Sequence, residues 1–251
     1  MTVMEFFGCT FIAFGPPFAM FYYTIAHDPI RIIILIASAF FWLLSLLLSS
    51  IWWAIVTPLK ETLVFAVVSS VIFQEVMRFL VYLLLTKAEG GLKRVTETNT
   101  SLVDNKHVLA YVSGLGFGIM SGAFALINIL ADSVGPGTVG LRRDGDSPMF
   151  FVTSAITTLC FILLHSCWNV TFYAGVDRRN YGLIAIVFVS HLVASLLTLL
   201  NKNHLYWVSI LPNYFNLILS AWFAFRVAGG RLKLEDIRRT GLPPVTLNVA
   251  D

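Results

Sequence analysis

Charge is what this chain most lacks: 12% of its 251 residues are Asp, Glu, Lys or Arg, where a soluble domain carries about a quarter. With 57% hydrophobic residues and a mean hydropathy of +0.81, the composition is that of an integral membrane protein, with no stretch left over for a separate soluble domain. The net charge of +3 is too small to argue for a nucleic-acid partner. Cysteine is scarce as well. Cys9, Cys160 and Cys167 all fall in apolar segments, their number is odd, and no C-x-x-C pair exists, which excludes a disulfide framework and a cysteine metal site. The first apolar run has no basic region before it and carries Glu5, so it reads as a retained span rather than a cleaved signal. There is no H-E-x-x-H, which excludes a zincin. Every aspartate (Asp28, Asp104, Asp132, Asp144, Asp146, Asp177, Asp236, Asp251) lies in a loop, a span edge or the tail, so the chain lacks the paired carboxylates of an intramembrane aspartyl protease. A rhomboid-type Gly-x-Ser-Gly is also missing: Tyr111-Val112-Ser113-Gly114 lacks the first glycine, although His191 follows two spans later where a base would stand.

What is present is a series of apolar runs long enough to cross about 30 Å of hydrocarbon. Seven are predicted, at about 3–25, 31–56, 62–85, 108–131, 149–174, 182–200 and 205–227, which makes an all-α bundle over 1–227 followed by a polar tail, 228–251. The second is over-long and predicts tilt or protrusion; Gly15-Pro16-Pro17 predicts a kink in the first. Seven spans put the termini on opposite sides. With the C-terminus cytosolic, that side holds twelve basic residues (Arg31, Lys87, Lys93, Arg94, Lys106, Arg178, Arg179, Arg226, Arg231, Lys233, Arg238, Arg239) against four on the other (Lys60, Arg142, Arg143, Lys202). The bias places the N-terminus on the luminal or extracellular side. Trp42, Trp52, Trp53, Trp207 and Trp222 mostly read as interfacial anchors near span ends.

The fourth span carries Ser113-Gly114-Leu115-Gly116-Phe117-Gly118-Ile119-Met120-Ser121-Gly122. Gly114, Gly118 and Gly122 recur every fourth residue and form one stripe without side chains on a helix. In lipid such a stripe lets another helix approach backbone to backbone, where packing drives association; Ser113 and Ser121 flank it.

Ionisable residues inside a span are costly and point to function by default. Glu75 and Arg78 lie three apart on one face of the third span and are placed to neutralise each other. An internal pair that fixes packing is the favoured reading over catalysis. His165 in the fifth span and His191 in the sixth, with Glu75, suggest a shared polar cavity for water, a metal or a partner's polar group. Asn128 and Asn169 are interhelical hydrogen-bond candidates, each worth roughly 1 kcal/mol.

Several motifs resemble the anterior pharynx-defective 1 family, the polytopic scaffold subunit of γ-secretase. They are Phe6-Phe7-Gly8-Cys9-Thr10-Phe11 with Ala13-Phe14-Gly15-Pro16, Ala39-Phe40-Phe41-Trp42-Leu43, Gln74-Glu75-Val76-Met77-Arg78-Phe79, Tyr111-Val112-Ser113-Gly114-Leu115, Ile127-Asn128-Ile129-Leu130-Ala131-Asp132, Gly145-Asp146-Ser147-Pro148 and Ser190-His191-Leu192. They occur in order over nearly all the chain except the tail. The resemblance implies seven spans with a luminal N-terminus, assembly with presenilin, nicastrin and the presenilin enhancer subunit, and no cofactor. It implies a scaffold that holds nicastrin and presenilin together for proteolysis of type I membrane proteins such as Notch and amyloid precursor protein. The catalytic aspartates would be presenilin's, and the compartments the endoplasmic reticulum, Golgi and plasma or endosomal membranes. The family's glycine motif maps onto Gly114, Gly118 and Gly122, and its two assembly histidines onto His165 and His191.

A second, more distant resemblance points to an enzyme. Glu75-x-x-Arg78, Phe161-x-x-x-His165 with His165-x-x-x-Asn169, and His191 echo the prenyl-protein (CAAX) endopeptidases, which activate water with a glutamate and histidines. Here Gln74 stands where those proteins carry a first glutamate, and the arginine is one residue closer. A seven-span transporter or receptor is a third class; the short luminal loops and the lack of an inverted repeat argue against it.

The topology tests itself on two glycosylation sequons, Asn99-Thr100-Ser101 in a cytosolic loop and Asn169-Val170-Thr171 within the membrane. Neither should carry glycan. Digestion with a glycosidase should leave the electrophoretic mobility of the chain unchanged, and a shift would overturn the assigned sidedness.

Overall fold

The computed structural model describes residues 3–59, 61–95, 106–134, 149–203 and 205–230. The sequon at Asn99, the Gly145-Asp146-Ser147-Pro148 motif and the tail from residue 231 lie outside the described residues, as does the side chain of Asp132. Seven α-helices occur among the described residues: α1 (Val3–Thr24), α2 (Pro29–Ile55), α3 (Leu63–Val95), α4 (Lys106–Val134), α5 (Phe150–Asp177), α6 (Tyr181–Leu197) and α7 (Tyr206–Val227). All seven are long and apolar enough to span a membrane, and no strand occurs among the described residues. Short 3-10 turns follow α2 (Thr57–Leu59) and α6 (Thr198–Asn203).

The predicted and observed helix ends differ most at α3. Hydropathy ends this span at 85 and predicts a loop over 86–107, whereas helix continues to Val95 and resumes at Lys106. Hydropathy marks where a helix leaves lipid, but intrahelical hydrogen bonds extend past that point when nothing breaks them. In α1 the helical assignment runs unbroken through Pro16 and Pro17.

Local chemistry sets the turns. Asp28 caps α2, its Oδ1 accepting from the Ile30 amide at 2.9 Å, with Pro29 pre-set for the first helical turn. Asn180 caps α6 the same way through Gly182 at 3.1 Å. Helices α5 and α7 end in one motif: the Asn180 amide donates to Gly175 O and Arg179 to Val176 O, while Gly230 donates to Phe225 O and Gly229 to Arg226 O. At α7 the left-handed residue is Gly229 (φ 92°); at α5 it is Arg179 (φ 51°), a side chain in a conformation that costs about 1 kcal/mol relative to the right-handed one. Arg178 donates Nη2 to Val227 O at 2.8 Å, closing the last turn of α7 from its neighbour.

At the centre, α4 lies between α5 and α2. Its glycines face both. A Cβ on Gly114 would come within 2.8 Å of Ser166 Cα, and one on Gly118 within 2.6 Å of Ile162 O. On Gly122 it would meet Ile162 Cδ1 at 2.6 Å. The stripe therefore packs against α5 of the same chain. Gly116, two residues along and so on the opposite face, abuts the Leu35 backbone of α2. Helix α5 in turn is buried along most of its length, with contacts to α1, α4, α6 and α7. Asn128, expected to bond between helices, is exposed on α4. Trp42 is no interfacial anchor: it is buried within α2 and donates Nε1 to Gln74 Oε1 at 3.2 Å.

These approaches predict a graded response to added methyl groups. Gly114→Ala, Gly116→Ala and Gly118→Ala each meet backbone that cannot rotate away, and should cost about 1–3 kcal/mol. Gly122→Ala meets the end of the Ile162 side chain and should cost less, with Ile162→Val restoring most of the loss. Thermal unfolding in mild detergent gives the order; equal losses at all four positions would contradict it.

Candidate functional site

Arg78 is fully buried in mid-membrane, 0% exposed, and its surroundings satisfy it from four directions. Nε donates to Glu75 Oε2 at 3.1 Å, the (i, i+3) pair that spacing on one helix makes possible. Nη1 donates to Asn169 Oδ1 and reaches His165 O at 3.5 Å. Nη2 lies 3.2 Å from His165 Nδ1. An arginine can only donate, so His165 Nδ1 accepts, which places that ring's proton on Nε2. The guanidinium carbon is 5.2 Å from the Phe117 ring centre and 6.0 Å from that of Trp168, within range of cation–π attraction to both.

Glu75 is held from two sides. Its Oε1 accepts from His191 Nδ1 at 2.7 Å, across from α3 to α6. His165 and His191, both 1% exposed, meet edge to face with ring centres 5.1 Å apart, and Trp168 lies tilted over His191 at 4.5 Å. Thus α3, α5 and α6 contribute to one closed cluster of paired charge and aromatic surface.

The cluster continues into α4 and α2. Asn169 Nδ2 donates to Ser113 Oγ at 3.1 Å; Ser38 Oγ and Tyr173 OH each lie 2.9 Å from the same oxygen. A separate chain ties α5, α6 and α7: Trp168 Nε1 donates to Ser190 Oγ at 2.9 Å, and Ser190 Oγ to Asn216 Oδ1 at 2.7 Å. Asn216 Nδ2 returns to Ser190 O at 3.1 Å.

Of the residues singled out in the sequence, the structure joins Glu75, Arg78, His165, His191, Asn169 and Ser113 in one network. Ser121 stands apart. It lines a cleft of about 480 Å³ between α3, α4, α5 and α6, with Gln74, Gly122, Thr157, Thr158 and Ser195 among its other walls. Neither His165 nor His191 lines this cleft, and the two imidazoles sit in a closed cluster rather than in the expected polar cavity. The reason is steric: Phe117 and Trp168 pack against the imidazoles where open space was expected. Among the described residues, no three His, Cys, Asp or Glu side chains are arranged to hold a metal ion. Sequence reasoning missed Ser38, Tyr173, Trp168, Ser190 and Asn216; the asparagine in an apolar span was the readable signal.

Comparison with known proteins covers the whole bundle. The family profile "Aph-1 protein" matches residues 4–231. A Drosophila melanogaster protein named gamma-secretase subunit Aph-1 is 60% identical over 230 residues, 92% of this chain and 95% of that one. Gamma-secretase subunit Aph-1b of Danio rerio is 49% identical over 242 residues, 93% and 92% of the two chains. Gamma-secretase subunit aph-1 of Caenorhabditis elegans is 31% identical over 251 residues, 90% of this chain and 80% of its own.

Breaking the central pair strands a charge. Arg78→Met should lower stability by about 3–5 kcal/mol because the Glu75 carboxylate loses its cation in a dry site. Adding Glu75→Gln should recover most of that loss. Thermal unfolding of both single variants and the double in mild detergent tests it; losses that simply add would mean the pair is not coupled.

Proposed function

The chain belongs to the Aph-1 family, and on that premise we propose that it is the non-catalytic scaffold of γ-secretase, holding nicastrin and presenilin together. It is a multi-pass membrane protein and a subunit of that multi-subunit complex. The finer reading is that it stabilises and positions presenilin, whose aspartates do the chemistry, with the presenilin enhancer subunit completing the assembly. Substrates would be type I membrane proteins such as Notch and amyloid precursor protein, met in the endoplasmic reticulum, Golgi and plasma or endosomal membranes. Its N-terminus would be luminal and the segment from 228 a cytosolic tail.

One observation carries the scaffold reading: the mid-membrane charges of this chain are spent on one another. Glu75 is shared by Arg78 and His191, and Arg78 is further engaged by Asn169 and His165. Such closure makes a rigid support. The endopeptidase reading is not favoured, since Arg78 stands between Glu75 and His165 and both carboxylate oxygens are engaged. In the proposed role, His165, His191, Glu75, Arg78 and Asn169 hold α3, α5 and α6 in the shape that presenilin meets. Gly114, Gly118 and Gly122, with Ser113 and Ser121, hold α4 in place beside them.

Purification of the tagged chain in mild detergent should recover presenilin and nicastrin. Gly122→Asp should lose both, because its carboxylate would press on Ile162 and Thr158 and stand unpaired in the membrane. A wild-type chain recovered alone would overturn the scaffold reading; normal recovery with Gly122→Asp would remove the glycine stripe from it.

A further inference from the structure

The turn joining α5 to α6 carries an arginine where its backbone would be better served by glycine. Arg179 sits in the left-handed position of the α5 terminus (φ 51°), whereas the matching position of α7 is Gly229. Its neighbours are occupied: Arg178 caps α7 through Val227 O, and the Asp177 carboxylate takes Tyr82 OH at 2.6 Å and Lys106 Nζ at 3.3 Å. Among the described residues no acidic group pairs with Arg179, which is exposed. Strain tolerated at an exposed cation points to a use for that cation.

Directly below it runs a groove of about 460 Å³ between α3, α5 and α6, lined by Phe79, Phe172, Val176, Arg179, Tyr181 and Ile184. Five of its six lining residues are apolar or aromatic, and Arg179 is the charged one. Tyr181 is exposed there, at the level where amphipathic rings meet headgroups. Among the side chains described, the same end of the bundle holds Arg31, Lys87, Lys106, Arg178 and Arg226 against Asp28 and Asp177, which pair with Arg31 and Lys106. An apolar groove beside an exposed cation with no acidic partner among the described residues is complementary to a molecule with one anionic end and a hydrocarbon chain.

We propose that this groove binds an anionic phospholipid of the adjacent leaflet, its acyl chain between Phe79, Phe172, Val176 and Ile184 and its phosphate on Arg179. The residues that line the groove all belong to this chain. The bound lipid would fix the α5–α6 turn against α3 and make the surroundings of the bundle sensitive to leaflet charge.

The test uses the full chain with the subunits that co-purify with it, in phosphatidylcholine nanodiscs doped with a phosphatidylserine carrying a photoactivatable acyl chain. Peptide mapping should find adducts at Phe172, Val176 or Ile184, about fivefold more abundant than with a matched phosphatidylcholine probe, the ratio that one basic residue supplies at an anionic leaflet. Arg179→Gly suits the left-handed backbone and cannot fail through misfolding of the turn, yet should erase the preference; Arg179→Lys should keep it. Equal labelling by both probes would show ordinary boundary lipid and overturn the proposal, as would an unchanged preference in Arg179→Gly. Absence of adducts from either probe would show the groove closed by protein. Displacement by soluble glycerophosphoserine would assign the site to a free anion instead, and either result overturns a lipid occupant.

Discussion

A guanidinium in hydrocarbon has no solvent to fall back on, and Arg78 imposes that constraint on everything around it. Its donors must be met by protein, which requires Glu75, His165 and Asn169 to stand at fixed places on α3 and α5. Glu75 then recruits His191 from α6, and Asn169 passes the constraint to Ser113 on α4 and, through it, to Ser38 on α2. Five of the seven helices are thereby located by one connected set of polar contacts. Individually such bonds are weak in membranes, about 1 kcal/mol each; their weight comes from leaving no member unpaired.

Glycine supplies the complementary constraint. Lipid is as apolar as leucine, so helices gain little by hiding side chains from it and much by close van der Waals approach. With Gly114 and Gly118 against α5 and Gly116 against α2, α4 becomes a thin wall between two helices. That thinness is what lets Asn169 on α5 and Ser38 on α2 both reach Ser113. Packing and polar closure are therefore one arrangement: thicken α4 and the hydrogen bonds lengthen.

Much of this was legible in the residues. Hydropathy located the seven spans, because lipid demands long apolar helices and permits few alternatives. The Glu75–Arg78 pair followed from spacing alone. What the stripe of glycines faced was not legible, since a missing side chain announces close approach without naming the neighbour; α5 of the same chain fills it. The histidines suggest a cavity by residue type, yet Phe117 of α4 and Trp168 of α5 fill that space. The pairing of Ser190 with Asn216 was not legible, because a serine or asparagine names its partner only when the partner's height in the membrane is known. Trp42 misled for the same reason: its composition suits an interface, but its depth and its bond to Gln74 place it inside.

The local pairing of Glu75 and Arg78 has a further consequence for how the chain is made. Helix α3 leaves the ribosome before α5 and α6 exist, so when Arg78 first enters the bilayer, Glu75 is the one ligand from its final cluster already synthesised. Three residues of spacing keep the two charges together from that moment, lowering the cost of insertion while the nascent helix waits. His165, Asn169 and His191 follow later in the chain and supply the remaining contacts of the pair. The same ion pair that anchors the finished cluster thus also lowers the cost of placing its own helix in lipid.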